Sequence, residues 1–198
     1  MNSSSGKIMV HEFSEGKTFN KSDFTTEGLA SGDYDGCTFL NCDFSNSDLS
    51  YIRFMDCNFE NCNMSMAKLI KTVLRDIKFL NCKMLGLQFE HCNEPGISAE
   101  FENCNLSHSS FYKTKLKKTT FRSLILHDVD FTGCDLSDSV FENCDLTRAL
   151  FENSNLEKTD FRTAIGFSID PERNRIKKAL FSLSGIAGLL DKYDIEID

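Results

Sequence analysis

From Phe19 to Phe161 every fifth residue is large and apolar, with one interruption between Phe89 and Phe101. Phe19, Phe24, Leu29, Tyr34 and Phe39 open the series, and Phe141, Leu146, Phe151, Leu156 and Phe161 close it. A helix repeats its faces every 3.6 residues and a strand every two, so neither keeps a strict five-residue spacing on one side. The pattern predicts a solenoid, in which each turn of chain buries its apolar residues against the turns above and below. A longer period lies inside it. Phe-x-Asn-Cys starts at Phe39, Phe59, Phe79, Phe101 and Phe141. Sorted into four columns, the register places Phe19, Phe39, Phe59, Phe79, Phe101, Phe121, Phe141 and Phe161 in one of them. Asn41, Asn61, Asn81, Asn103 and Asn143 fall on one corner beside that column, where amides repeated at about 4.8 Å can hydrogen-bond up the stack. About seven coils and a rod of about 35 Å are predicted.

The unit reads small, polar or Asp/Asn, Leu/Phe, polar, polar, as in Cys42-Asp43-Phe44-Ser45-Asn46, Cys134-Asp135-Leu136-Ser137-Asp138 and Cys144-Asp145-Leu146-Thr147-Arg148. It resembles the pentapeptide-repeat family, whose members form a right-handed quadrilateral β-helix with four units per coil. The resemblance implies an all-β solenoid over residues 17–164, preceded by a lead-in at 1–16 and followed by a cap at 165–198. Two extra residues interrupt the register near 93–98. Because the Phe column resumes in phase, the insertion is absorbed within one coil, with a turn expected at Glu94-Pro95-Gly96 and Ile97 filling the vacant core slot.

Beyond Ala164 the pattern changes. Ile169 to Arg173 reads as a turn, Ile176 to Phe181 as a last degenerate coil, and Ser184 as the N-cap of a short helix carrying Ile186, Leu189 and Leu190. Gly185 and Gly188 disfavour that helix. Asp194-Ile195-Glu196-Ile197 alternates as a short strand. This tail resembles the C-terminal dimerisation segment of the Qnr quinolone-resistance proteins, which implies a homodimer through Ile186, Leu189, Leu190, Ile195 and Ile197.

Composition changes this picture in two ways. The nine cysteines all sit two residues before a register position, in a slot that elsewhere holds Ser47, Ala67, Thr72, Val129 or Ser139. Cysteine is therefore read as a small interior filler, which implies a reducing, cytoplasmic setting. The net charge is −8, and the repeat from Lys17 to Ala164 carries −6, with 16 basic against 22 acidic residues. That balance disfavours direct nucleic-acid binding, which needs a basic footprint. No apolar run of membrane-spanning length occurs.

Chemistry-bearing motifs are sparse. His91-Cys92 is the only adjacent His/Cys pair, and His11, His108 and His127 have no nucleophile at a recognisable spacing. No phosphate loop, nucleotide fingerprint or metal-binding motif is present, so neither catalysis nor a cofactor is expected. The Asp/Asn residues before each central Leu/Phe are read as caps on the corner turns. Asp128, Asp130, Asp135, Asp138, Glu142, Asp145, Glu152 and Glu157 crowd the later coils as a candidate acidic binding surface, while Lys113, Lys115, Lys117, Lys118 and Arg122, with Lys68, Lys71, Arg75 and Lys78, form a basic middle. The Qnr-like resemblance implies a DNA-mimicking rod that binds DNA gyrase or topoisomerase IV. The alternative is a structural or interaction scaffold with an unrelated protein partner.

Overall fold

The computed structural model describes residues 11–93 and 97–196. The chain winds as a parallel β-solenoid with four sides per coil. Side one is a seven-stranded sheet of β2 (Thr18–Asn20), β4 (Thr38–Leu40), β6 (Asn58–Glu60), β8 (Ile77–Leu80), β9 (Ala99–Glu102), β10 (Thr120–Arg122) and β11 (Val140–Glu142). Side four is a four-stranded sheet of β1 (Glu12–Glu15), β3 (Gly32–Asp35), β5 (Arg53–Met55) and β7 (Val73–Arg75). Sides two and three are held by isolated parallel bridges such as Asp43↔Asn63 and Ser110↔Asp130. Among the described residues the first paired one is Glu12, inside the segment expected to be a lead-in, and Ser14 aligns with Tyr34 and is fully buried.

Register explains the core. Phe39 pairs with Phe59, Phe59 with Phe79, Phe79 with Phe101 and Phe121 with Phe141, so their rings stack along the axis. Centroid separations run from 4.7 Å for Phe39–Phe59 to 6.1 Å for Phe101–Phe121. Phe19 is half-buried at the first coil, and the column continues past Phe161 to Phe181, 5.3 Å away. The repeat therefore extends beyond Ala164, and Asn155↔Arg175 and Asp160↔Leu180 bridges confirm a further coil there. A second ring stack on side three, Phe89, Phe111, Phe131 and Phe151, starts at 4.3 Å and edges against the first. The two extra residues are absorbed between Phe89 and Ala99, since Ile77↔Ala99 and Phe79↔Phe101 pair 22 positions apart. Ile97 packs against the core, half-buried, and Glu94-Pro95-Gly96 lie outside the described residues.

The interior slot is chemically uniform. The Cys57 thiol donates to the Tyr34 carbonyl at 3.3 Å, as the Ser139 and Thr159 hydroxyls donate to Leu116 and Leu136 at 2.7 and 2.8 Å. Each reaches back 23 residues to the coil below, so any small donor serves there. All nine cysteines are free thiols; eight are buried and Cys92 is half-buried.

The Asn corner has a different cause from the one expected. Asn41, Asn61, Asn81, Asn103 and Asn143 follow β4, β6, β8, β9 and β11, each with φ of 53–54°. Asn is among the few residues that accept the left-handed region readily, which accounts for its recurrence. The stack there is carried by backbone bonds such as Asn41 N–H to Glu60 O, 2.9 Å. Among the described residues the one amide-to-amide bond at this corner joins Asn41 to Asn20 at 3.3 Å, so side-chain amides do not form a continuous ladder.

The tail also differs. Its helix is a 3₁₀ helix at Leu183–Leu189, capped by Ser182 rather than Ser184, whose hydroxyl accepts the Gly185 N–H at 3.1 Å. A 3₁₀ turn at Asp191–Tyr193 follows, and Asp194 enters the left-handed region at φ 50°, which breaks the expected strand before Ile195. Ile197 lies outside the described residues.

Candidate interaction surface

Each coil turns its corner by the same local device. A carboxylate or amide one residue before the core position accepts the N–H two residues on, as Asp43 does from Ser45, Asp135 from Ser137 and Asp145 from Thr147, at 2.8–3.1 Å. Asp130 does the same for Thr132 at 2.8 Å. Three members of the acidic cluster, Asp130, Asp135 and Asp145, are thus corner caps with one oxygen committed to the backbone. Burial pushes the Asp145 carboxyl up, but hydrogen bonds from Thr147 and His127 outweigh it and hold it below the usual carboxylate range. Asp135 shows the same balance, with Ser137 and Asn155 opposing burial.

The other acidic candidates point outward and meet cations from adjacent coils. Arg148 grips Asp128 with two bonds of 2.6 and 2.7 Å, which hold the Asp128 carboxyl below its usual range. Lys158 lies 3.5 Å from Asp138, Arg122 3.0 Å from Glu142, Arg173 2.8 Å from Glu152 and Arg175 2.8 Å from Glu157. His127 bonds Asp145 at 2.8 Å, and His108 approaches Asp128 at 3.7 Å. Stacking at the coil pitch brings residues about one coil apart side by side, so opposite charges near that spacing become neighbours. The later coils are therefore a lattice of ion pairs rather than a continuous sheet of free carboxylates. The sequence signal for this lattice is the spacing of Arg122 with Glu142 and of Asp128 with Arg148, each one coil apart, rather than the proximity of acidic residues along the chain.

The basic residues behave differently. Lys68, Ile70, Lys71, Arg75 and Lys78 are exposed, as are Tyr112, Lys113, Lys115, Lys117 and Lys118. Lys71 lies 5.8 Å over the Tyr51 ring and Lys113 4.8 Å over the Tyr112 ring. Beside the insertion, burial pushes the Cys92 thiol up to about 12, with Glu90 adding to it, and this disfavours the reactive thiolate. Among the described residues no group of three or more His, Cys, Asp or Glu side chains is placed to hold a metal ion, and no helix is long and apolar enough to cross a membrane.

At the C-terminal end Leu189 packs on the core and Leu190 is half-buried, whereas Ile186 and Ile195 are about half exposed and Leu183 is 88% exposed. Leu183 was not singled out in the sequence, because its neighbours are small and polar. Lys192 ties this tail to the preceding turn through Asp170 and Glu172, each at 2.8 Å.

A family model described as "Pentapeptide repeat region" matches residues 33–96 and 97–165. Among solved structures, full-length QnrB1, a plasmid-mediated fluoroquinolone resistance protein, superposes with a TM-score of 0.59 at 19% identity, over 91% of this chain and 99% of its own. HetL, a pentapeptide repeat protein involved in heterocyst differentiation regulation in the cyanobacterium Nostoc, gives 0.66 at 16% identity, over 86% and 84%. No curated protein sequence matches the chain.

Proposed function

This chain belongs to the pentapeptide-repeat family, and from that premise we propose that it is a non-enzymatic, cytoplasmic protein-binding rod whose later coils engage a type II topoisomerase, DNA gyrase or topoisomerase IV. The observation that supports it is the concentration of outward carboxylates on those coils, Asp128, Asp138, Glu142, Glu152 and Glu157, distributed over different sides and corners of a rigid core. A protein surface that displaces DNA needs negative charge, and these coils present it around the rod. The likeness to QnrB1 over nearly the whole of both chains agrees with that choice of partner.

The tail supplies a two-fold contact. Leu183, Ile186, Tyr193 and Ile195 leave more apolar surface exposed at the closed end than a cap requires, and an isologous pairing buries it. Sedimentation of the full chain as a dimer, and of Leu183→Ser/Ile186→Ser as a monomer, is expected; a wild-type monomer at micromolar concentration would oppose the contact.

A second reading, an interaction scaffold with an unrelated protein partner, is favoured by one observation: the carboxylates offered to the topoisomerase are already paired to Arg122, Arg148, Lys158, Arg173 and Arg175. The experiment that separates them is supercoiling by purified gyrase with increasing protein, with and without a quinolone. The first reading expects inhibition or protection at concentrations on the order of tens of micromolar. Neither effect, with no topoisomerase co-purifying from cells, selects the scaffold.

A further inference from the structure

We propose that sides three and four of the middle coils form a separate docking face for an acidic, apolar-bearing segment of a protein partner. The charge of this rod is segregated. Residues 63–122 contain ten basic against five acidic residues, net +5, in a chain of net charge −8. The remaining residues carry twelve basic against 25 acidic. The excess is displayed on the surface. Lys68, Lys71 and Lys113 line side three, and Arg75, Lys115, Lys117 and Lys118 continue round the corner onto side four, all exposed.

Pairing distinguishes this band from the later coils. There the arginines are bound to carboxylates, whereas these seven cations have no ion-pair partner among the described residues. Of the acidic residues described inside the band, Glu100 and Glu102 share a cavity with Lys117 and Lys118, and the other two do little to cover the cations. Asp76 accepts the Ser98 hydroxyl at 2.7 Å, and Glu90 is half-buried with its Oε2 turned inward and unbonded.

Apolar groups are interleaved with these charges. Tyr51, Ile70 and Tyr112 on side three, with Met66 at its edge, are 61%, 45%, 40% and 59% exposed. The lysines fold over the two tyrosines, so cation and ring form one mixed surface. Gly86 and Gly133 extend it. A Cβ at Gly86 would sit 2.5 Å from the Met66 sulfur, and one at Gly133 2.9 Å from Lys113 Cγ, so both glycines provide the floor on which these side chains lie.

Charge complementarity calls for an anionic partner, and the apolar members specify its class. Ile70 and Met66 offer aliphatic surface that a phosphate backbone cannot use. A protein segment alternating carboxylates with large apolar residues satisfies both halves of the surface.

The test uses the full chain and three probes of equal charge: a fluorescein-labelled peptide alternating Glu with Leu and Phe, a polyglutamate peptide, and a single-stranded oligonucleotide. Saturable binding of the mixed peptide is expected, about tenfold or more tighter than polyglutamate. Lys68→Glu/Lys71→Glu/Lys113→Glu and, separately, Ile70→Ser/Tyr112→Ser should each weaken it about tenfold or more while the thermal midpoint stays near wild type. Tighter binding of the oligonucleotide would assign the face to nucleic acid and overturn the proposal. So would loss of self-association, rather than of peptide binding, in the same variants, or absence of any binding by the mixed peptide. Peptide binding unaffected by one of the two variants would remove that half of the surface and with it the proposed occupant.

Discussion

Gly188 rests against the backbone of Phe167 so closely that a Cβ at 188 would overlap the Phe167 carbonyl oxygen, while the Gly188 carbonyl accepts a 2.8 Å bond from the Ile169 N–H. The residue that disfavours a helix in isolation is what lets this one lie flat on the last coil. Gly188→Ala is therefore expected to lower stability by about 1–3 kcal/mol, because backbone rather than a flexible side chain must move. Urea denaturation of the variant measures it, and a loss below about 0.5 kcal/mol would show that the close contact is not needed.

Thiol chemistry reports on the interior slot. Burial pushes Cys57 and Cys144 up to about 12 and Cys134 up to about 11, so these thiols are both enclosed and protonated at neutral pH. Cys92, half-buried beside the insertion, is the most accessible of the nine. Labelling of native protein should reach Cys92 and few others, with denaturation exposing all nine. Rapid modification of Cys57 or Cys144 in the native state would contradict the packing.

The corner caps predict acid sensitivity. Ser50 hydrogen bonds hold the Asp48 carboxyl low, Arg162 does so for Asp160, and Asp135 and Asp145 are depressed despite burial. A folded-state value below the unfolded one of about 3.9 means the stabilisation is present above that pH and is lost as pH falls through the folded values. The thermal midpoint should hold steady from about pH 7 to 5 and fall progressively below about 4. A midpoint unchanged down to about pH 2 would show that the caps contribute nothing through their charge.

The legible part of this molecule is the part that repeats. Phe39 and Phe59 announce their stacking because one residue type recurs at one spacing, and the insertion could be placed because Phe101 returns in phase. Asp43 and Asp145 were readable as caps for the same reason. The tail was not, since the contact between Gly188 and Phe167 occurs once, is tertiary, and has no period to betray it. The Asn corner was placed but misattributed, because a recurring residue shows where a constraint acts and not whether backbone or side chain imposes it. The acidic surface looked free because Arg148 and Asp128 are twenty positions apart in sequence and adjacent only once the coil closes.

The topoisomerase reading is tested most directly by the equilibrium binding of fluorescently labelled rod to purified gyrase, with duplex DNA as competitor. Asp135 and Asp145 are unsuited to charge reversal because they cap corners. Asp138, Glu142, Glu152 and Glu157 point outward and serve instead. The account predicts saturable binding that duplex DNA displaces and salt weakens, and that the quadruple change to Lys reduces at least about tenfold with the thermal midpoint little altered. Absence of binding at concentrations on the order of tens of micromolar, or binding undiminished by the charge reversal, would contradict it.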